Sequence, residues 1–233
     1  MVARKKKVVA KKSAAGLFPT ELSEAQQGSN IGNENVGNDV ARPTIKLLQA
    51  LSPEIDESRS QFVKGAKSGQ LINSVTGELY DELYVSNVAY DKYFAIFRKR
   101  SAGGGFEGQY PTQADAATAM NTNGWTEATH EIVETASHIC ALINTETQEV
   151  EPVQFLMSST KLSVSKNWNS QILGKGGDRF SSVWKISSVN QKNAKGSFFN
   201  MKIEHAGFCP DELHEELTTI YNGVQATLPA PAA

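Results

Sequence analysis

The sequence predicts an α+β fold in which β-strands dominate and one helix is inserted between pairs of strands. Runs rich in Val, Ile, Tyr and Phe alternate with turn-forming Gly and Asn from residue 69 onward, which is typical of short strands. Helix-start signals fall between these runs rather than within them. Residues 1–40 carry almost no apolar periodicity, so we expect a disordered N-terminal arm there.

Three regions follow from the composition. Residues 1–40 form the arm, first basic, with six Lys or Arg and no acids up to Thr20, and then rich in Gly and Asn. Residues 41–209 hold the alternating β pattern, and residues 210–233 hold an acidic helix and a loose tail. The basic arm could grip phosphate, or it could be a solubilising tail.

Within the middle region the strands are bounded by turn signals. Leu71–Asn73 is a short strand, and residues 82–100 hold one long bent strand or two short ones. Residues 137–144 and 149–157 flank a polar turn and are predicted to form a hairpin. Residues 179–189 and 197–208 form a further pair of strands, joined by a loop at residues 191–196.

Three helices are expected between or after these strands. Residues 111–121 are Ala-rich with Pro at the start, and Ser159 or Thr160 can cap a helix that runs to Leu173. Residues 210–221 begin with Pro and acids and precede Gly223. A five-stranded Greek-key barrel with an inserted helix, the OB-fold, fits this layout of five to seven strands, and other small barrels fit too.

Charge is segregated along a chain whose formal net charge is only −2. Residues 107–151 contain eight acids and no Lys or Arg, whereas residues 161–202 contain eight basic residues and one acid. One interpretation is that solvated faces happen to cluster, and the other is a face that binds a polyanion.

Composition and motifs argue against several other classes of protein. No run of 18 apolar residues is present, and two cysteines 69 positions apart suggest neither a disulfide framework nor a zinc site. The Gly103-x-Gly105-x-x-Gly108 spacing follows a strand too charged for a dinucleotide fold. We find no catalytic constellation above chance, and we expect no metal or organic cofactor.

Aromatic residues are interleaved with the basic ones in two segments, around residues 90–100 and 161–202. Single-stranded nucleic acid needs both, because cations neutralise phosphates and aromatic rings stack on unpaired bases. Alternation places Phe199, Met201 and Ile203 on a core face and Phe198 on the opposite one. Trp168 could be core or stacking. The predicted nucleic-acid-binding residues are Lys92, Tyr93, Arg98, Lys99, Arg100, Lys161, Lys166, Trp168, Lys185, Phe198, Asn200 and Lys202.

Three stretches carry a resemblance to a known family: residues 45–53 (IKLLQALSP), 69–78 (GQLINSVTGE) and 193–200 (NAKGSFFN). They are similar to proteins from the replication regions of tailed bacteriophages, which are regarded as single-stranded DNA-binding proteins. The resemblance spans residues 42–208 and implies an OB-like fold and a role in phage replication or recombination. Many such proteins end in an acidic disordered tail, whereas here the acids lie in the predicted helix and residues 225–233 are neutral.

We therefore expect a non-enzymatic, sequence-tolerant single-stranded DNA-binding protein in the cytoplasm of an infected host cell. Its expected partners are single-stranded DNA and phage replication proteins, without a membrane, and self-association into a homo-oligomer stays open. One alternative is a virion structural or DNA-packaging-associated protein, and another is an enzyme whose site the sequence does not reveal. The choice between DNA and RNA also stays open.

Overall fold

The computed structural model describes residues 42–194 and 196–225. The predicted arm at residues 1–40 and the end of the predicted tail lie outside these residues. Within them the chain is mainly antiparallel β, with nine strands and three helices, so the predicted α+β class is confirmed. No helix in the described part is both long and apolar enough to cross a membrane. The strands are β1 (Ile45–Leu47), β2 (Leu71–Asn73), β3 (Leu79–Tyr80), β4 (Glu82–Arg98), β5 (Gly105–Tyr110), β6 (His130–Ile143), β7 (Val150–Ser158), β8 (Ser182–Asn193) and β9 (Gly196–Phe208), and the helices are α1 (Gln113–Thr122), α2 (Lys161–Lys175) and α3 (Asp211–Gln225).

The strands form two antiparallel sheets. A small sheet has the order β1-β2-β3, and a six-stranded sheet has the order β7-β6-β4-β8-β9, with β5 added to the far half of β4. Both predicted hairpins are present as β6–β7 and β8–β9. The second is longer than predicted, because Asn193 and Gly196 still pair and the turn is correspondingly short.

The centre of the large sheet is β4, a single strand of 17 residues that pairs with β5, β6 and β8. At roughly 3.3 Å per residue it is about 50 Å long. A β-bulge between Asn87 and Ala89 interrupts its ladder with β6. The bulge shifts the alternation by one residue, so Leu83 and Val85 lie on one face of the sheet and Ala89 on the other.

The main core lies on the sheet face that α2 covers, called here the α2 face. Trp168 of α2 packs against Trp184 of β8 and Phe155 of β7, with ring centroids 6.2 and 6.3 Å apart. Met201 of β9 joins this core, and Phe199 packs against it, as the alternation in β9 predicts. All three large rings at the centre are fully buried, so α2 is held mainly by burial of apolar area.

The opposite face of the sheet is covered by α3. Its Leu217 is fully buried against Val88 and Phe180, and the Tyr221 ring lies 5.6 Å from Phe180. Asp211 and Glu212 fall in the first turn, where carboxylates favour the helix dipole. The predicted acidic helix is thus confirmed as a packed, amphipathic element that continues to Gln225.

The edges of the large sheet do not join each other directly. No ladder connects β7 to β9 among the described residues, so a closed barrel is not shown. Instead β1 lies against both edges: Thr44, just before β1, forms a parallel bridge with Gln154 of β7. On the other side, Gln49 donates to the Phe199 carbonyl at 2.9 Å and accepts from the Phe199 N–H at 3.0 Å. The Gln49 amide thus replaces one pair of ladder hydrogen bonds.

The bounds of α1 and α2 also differ from those predicted. α1 begins at Gln113 because Thr112 is its N-cap, and the Thr112 hydroxyl accepts from the Asp115 N–H at 3.1 Å. α2 continues through Gly174 to Lys175, and its C-cap is Gly176, where φ is +74°. A helix tolerates a glycine, and the left-handed residue is what ends this one.

Candidate nucleic-acid interface

An aromatic and basic row lies along the far half of β4. Tyr90, Lys92 and Phe94 occupy alternate positions of β4 and pair with His138, Ala136 and Glu134 of β6, so they share the α2 face of the sheet. Tyr90 is 38% exposed. The Lys92 ammonium lies 5.6 Å from the centre of the Phe94 ring and 3.3 Å from Glu134. We call Tyr90, Lys92 and Phe94 the β4 row.

Arg179 extends this row toward α2. Its guanidinium carbon lies 5.3 Å from the centre of the Tyr90 ring, within the range of a cation–π contact. Its Nε donates to Asn87 Oδ1 at 2.7 Å, and its Nη2 donates to Asn169 Oδ1 of α2. No carboxylate of the described residues forms an ion pair with it, and burial lowers the pKa of this guanidinium.

A buried histidine, His138, is linked to Arg179 through Asn87. His138 Nδ1 accepts from Asn87 Nδ2 at 2.9 Å, and its Nε2 lies 2.7 Å from Ser165 Oγ. Its ring stacks on Trp168 with centroids 4.7 Å apart. Burial, with a smaller effect of the Arg179 charge, lowers the pKa of His138 to about 3, so the ring is neutral at physiological pH. Sequence reasoning missed this network, because its members come from β4, β6, α2 and the segment before β8.

Phe198 and Lys161 belong to a second group, at the other end of α2. Together with Gln49 they line an open cleft of about 390 Å³ between the β8–β9 turn and the start of α2. Lys161 has no ion-pair partner among the described residues, and burial lowers the pKa of its amine. The structure thus brings together two of the predicted binding residues that lie 37 positions apart, Lys161 and Phe198.

Two predicted binding residues are not available at the surface. Trp168 is 0% exposed and forms the centre of the core, so its placement on a binding surface is wrong. Asn200 is 3% exposed, because its amide donates to Gln191 Oε1 at 3.1 Å and its Oδ1 accepts from the Met201 N–H at 2.9 Å. Alternation assigned Asn200 to the correct strand face but could not reveal that this part of the face is covered.

Several predicted cations are paired with carboxylates. Lys185 lies on the same face as Phe198, as the alternation predicts, but its amine is 2.5 Å from Glu82. Lys202 is 2.8 Å from Glu204. Arg98 shares the face of the β4 row and is 2.7 Å from Glu107. These exposed pairs neutralise local charge while contributing little to stability.

The remaining predicted residues are scattered around the β4 row. Tyr93 lies on the opposite face of β4, where burial raises the pKa of its phenol. The Lys99 amine donates to the carbonyl of Glu127. Arg100 lies exposed in a short 3-10 turn, and Lys166 is exposed on α2, three positions before Asn169 and therefore on the same side of the helix.

Comparison with known proteins gives one match. The profile of the family described as Pam3 phage gp34-like protein matches residues 10–228. The chain belongs to this family. Its bacteriophage origin follows from that match, in agreement with the phage origin that the sequence resemblance implied. No curated protein and no solved structure matches the chain.

In this phage protein some of the acidic residues gather at the other end of β4. Glu82, Glu146 and Glu149 line a cleft of about 490 Å³ beside the β6–β7 turn. Glu212 and Glu216 of α3 line an adjacent cleft that shares the same turn. This end lies about 50 Å along β4 from Arg98. Other acids of the same sequence block lie at the Arg98 end, where Glu107 pairs with Arg98 and Glu134 with Lys92.

The His214 cluster and the thiol of Cys140 resemble parts of catalytic sites, and neither is arranged for catalysis. The His214 Nε2 atom lies 3.2 Å from Ser181 Oγ and 3.3 Å from Asp178 Oδ2. A hydrolase triad needs the carboxylate on the opposite ring nitrogen, so this histidine cannot relay a proton between the two. Cys140 is fully buried, and burial raises the pKa of its thiol, which disfavours the nucleophilic thiolate.

Proposed function

We propose that this protein is a non-enzymatic, sequence-tolerant single-stranded DNA-binding protein that acts in phage DNA replication or recombination. The observation that carries the proposal is the β4 row, in which a cation lies against each aromatic ring: Arg179 at Tyr90 and Lys92 at Phe94. Tyr90 and Lys92 are exposed, and Phe94 is half-buried. Unpaired bases stack on such rings, and the adjacent cations neutralise the phosphates between the bases. Neither contact depends on base identity, so binding would tolerate any sequence.

The start and the middle of α2 suggest a path for the strand. Lys161 is the first residue of α2, and Asn169 follows eight positions later, on the same side of the helix. The distance from Lys161 to Asn169 along the helix axis is about 12 Å at 1.5 Å per residue. A strand that enters at the cleft of Phe198 and Lys161 would thus reach Arg179 and Tyr90 after a few nucleotides. Lys166 is exposed beside this path.

Electrostatics supports the same orientation. The glutamates near Glu82 repel phosphate, and α3 covers much of the opposite sheet face. The α2 face between α1 and α2 is the surface that remains, and no carboxylate of the described residues forms an ion pair with Arg179. Glu134 and Glu107 lie beside this face, but Lys92 and Arg98 pair with them.

The strand order supports an OB-like fold as part of this proposal. The order β7-β6-β4-β8-β9, with α2 between β7 and β8, has the Greek-key connectivity of a five-stranded OB barrel opened between its third and fifth strands. In this proposal β1 and Gln49 fill the opening. The cleft at Phe198 then lies beside the loop between the fourth and fifth strands, one of the loops with which OB-folds contact oligonucleotides.

The experiment is a fluorescence anisotropy titration of the full chain with a labelled oligothymidylate and with duplex of equal length. We expect tight binding to the single strand at low salt, weak dependence on base composition, and weaker binding to duplex. Tyr90→Ala should weaken single-strand binding by about 1–3 kcal/mol. Tyr84→Ala is the matched control, because Tyr84 lines the acidic clefts at the other end of β4.

Three results would contradict the proposal. Absence of binding to single strands at low salt would refute it. Equal affinity for duplex would favour a virion structural or packaging-associated protein instead. Equal losses in Tyr90→Ala and Tyr84→Ala would show that the β4 row is not the binding surface.

A further inference from the structure

The guanidinium of Arg179 is held by protein on one side only. Nε donates to Asn87, and Nη2 donates to Asn169 and lies 3.5 Å from His138 Nδ1. Nη1 has no hydrogen-bond partner in the described part of the chain. Some side-chain atoms there are both unpaired and buried from solvent, and Nη1 is not one of them. A half-buried arginine with an open edge and no carboxylate is unusual, because removing its charge from water costs free energy that a counter-ion normally offsets.

The network beneath Arg179 fixes its orientation. Arginine can only donate hydrogen bonds, so Asn87 presents Oδ1 to Arg179 and Nδ2 to His138. The neutral His138 accepts at Nδ1, and its Nε2–H donates to Ser165. Asn87, His138 and Ser165 are all nearly or fully buried, so this chain of donors and acceptors is shielded from competing water. Because every member has one allowed direction, the guanidinium is preorganised before any ligand arrives.

We infer that Arg179 is a dedicated phosphate-binding residue whose open Nη1 edge takes one phosphodiester, while the exposed part of the Tyr90 ring stacks on a neighbouring base. The inference deepens the proposed function and rests on it for the identity of the ligand. The two N–H donors of a charged guanidinium nitrogen suit the oxygens of a phosphate, because hydrogen bonds between ionised groups are shorter and stronger than those between neutral ones. Two carboxylates near this surface have other partners: Glu134 pairs with Lys92, and Asp178 lies 3.3 Å from His214.

The test compares Arg179→Gln with Arg59→Gln in the salt dependence of oligothymidylate binding. Both variants lose one arginine, but Arg59 is 65% exposed in the β1–β2 connection and pairs with Asp56 at 3.4 Å. Loss of one phosphate contact should reduce the slope of log K against log salt by about 0.7 in Arg179→Gln and leave it unchanged in Arg59→Gln. A third variant, Arg179→Lys, keeps the charge but loses the planar guanidinium that Asn87 and Asn169 orient, and it should recover the slope without recovering full affinity.

A second measurement uses the unmodified protein, in case Arg179→Gln does not fold. The NMR signal of the Arg179 Nε–H group is followed while inorganic pyrophosphate is added. We expect a saturable shift of Arg179, with no comparable shift of the Arg59 Nε–H group. An unchanged salt slope in folded Arg179→Gln, or an unresponsive Arg179 signal, would overturn the inference.

The two measurements separate this inference from the proposed function. Oligothymidylate binding with an unaffected slope in Arg179→Gln would leave the DNA-binding proposal standing and remove the role of Arg179. A saturable shift of the Arg179 signal with pyrophosphate, without oligonucleotide binding, would refute the DNA-binding proposal. It would leave Arg179 as a phosphate site for another phosphorylated ligand. Failure of both would refute both.

Discussion

The buried His138 makes stability sensitive to mild acid. The pKa of this imidazole is about 3 in the folded protein, against 6.5 for an ordinary histidine. Between these two pH values the imidazole of His138 is therefore protonated in the unfolded chain but neutral in the folded protein. The stabilising contribution is complete above pH 6.5 and is lost progressively as the pH falls toward 3.

The magnitude follows from the difference in pKa. At pH 5 the unfolded histidine lies 1.5 pH units below its pKa, and each unit is worth about 1.4 kcal/mol, so folding loses about 2 kcal/mol relative to pH 7.5. No discount for solvent screening applies, because His138 is 0% exposed. For a domain of this size the loss corresponds to a decrease in Tm of about 4–8 °C.

The assay is urea unfolding at pH 7.5 and pH 5 for the unmodified protein and for His138→Gln. Glutamine can still accept from Asn87 and donate to Ser165, but it does not titrate. The variant should be less stable at pH 7.5, because the stack on Trp168 is lost, yet it should lose about 2 kcal/mol less on acidification.

Other groups titrate in the same way in both proteins. Their effect therefore cancels when the pH-dependent loss of stability of the variant is compared with that of the unmodified protein. Equal losses in the two proteins would refute the reasoning. A His138 NMR titration with a midpoint near 6.5 would do so as well, since it would mean that the ring is solvated and the network of Arg179 is not closed.

Three further predictions concern packing, and each compares stability or binding between matched variants. Gly69 and Gly65 share a φ of +91°, but an added Cβ would lie 2.7 Å from the Phe199 ring at Gly69 and meet nothing at Gly65. Gly69→Ala should therefore cost about 1–3 kcal/mol more in urea unfolding than Gly65→Ala; equal costs would mean that the ring moves aside freely. Phe199→Ala should cost about 3 kcal/mol of stability, whereas Phe198→Ala should mainly weaken oligothymidylate binding; the opposite pattern would invert the assigned faces of β9. Trp168→Phe should change the oligothymidylate affinity very little, because the indole is fully buried, and a loss of more than tenfold without unfolding would return Trp168 to the binding surface.

The alternation of side chains predicted much of the fold. In β9 the pattern Phe199, Met201, Ile203 identified the core face, and in β8 Trp184 and Ile186 did the same. Turn residues located both hairpins, and capping residues located α2 and α3 to within a few positions. Such features are local, because strand and helix periodicity depend on residues only a few positions apart. The mostly β architecture was therefore accessible from the sequence.

Local patterns could not predict which charges remain unpaired. Lys185 and Lys202 lie in the most basic block of the sequence, yet both meet glutamates in the folded protein. Arg179 belongs to the same block, yet it pairs with the amides of Asn87 and Asn169 and with no carboxylate of the described residues. Pairing depends on which strands become neighbours, and no feature of either neighbour's own sequence reveals it.

The sequence by itself determined the mainly β class, the faces of β8 and β9, and the segregation of acidic from basic segments. Only the tertiary structure decided that Trp168 and Asn200 are buried and that β1 lies between the edges of the large sheet. The same is true of the cation–π contact between Arg179 and the Tyr90 ring. The physical reason is range: alternation and capping act over a few residues, whereas burial and charge pairing are set by contacts between residues up to 150 positions apart, as between Gln49 and Phe199.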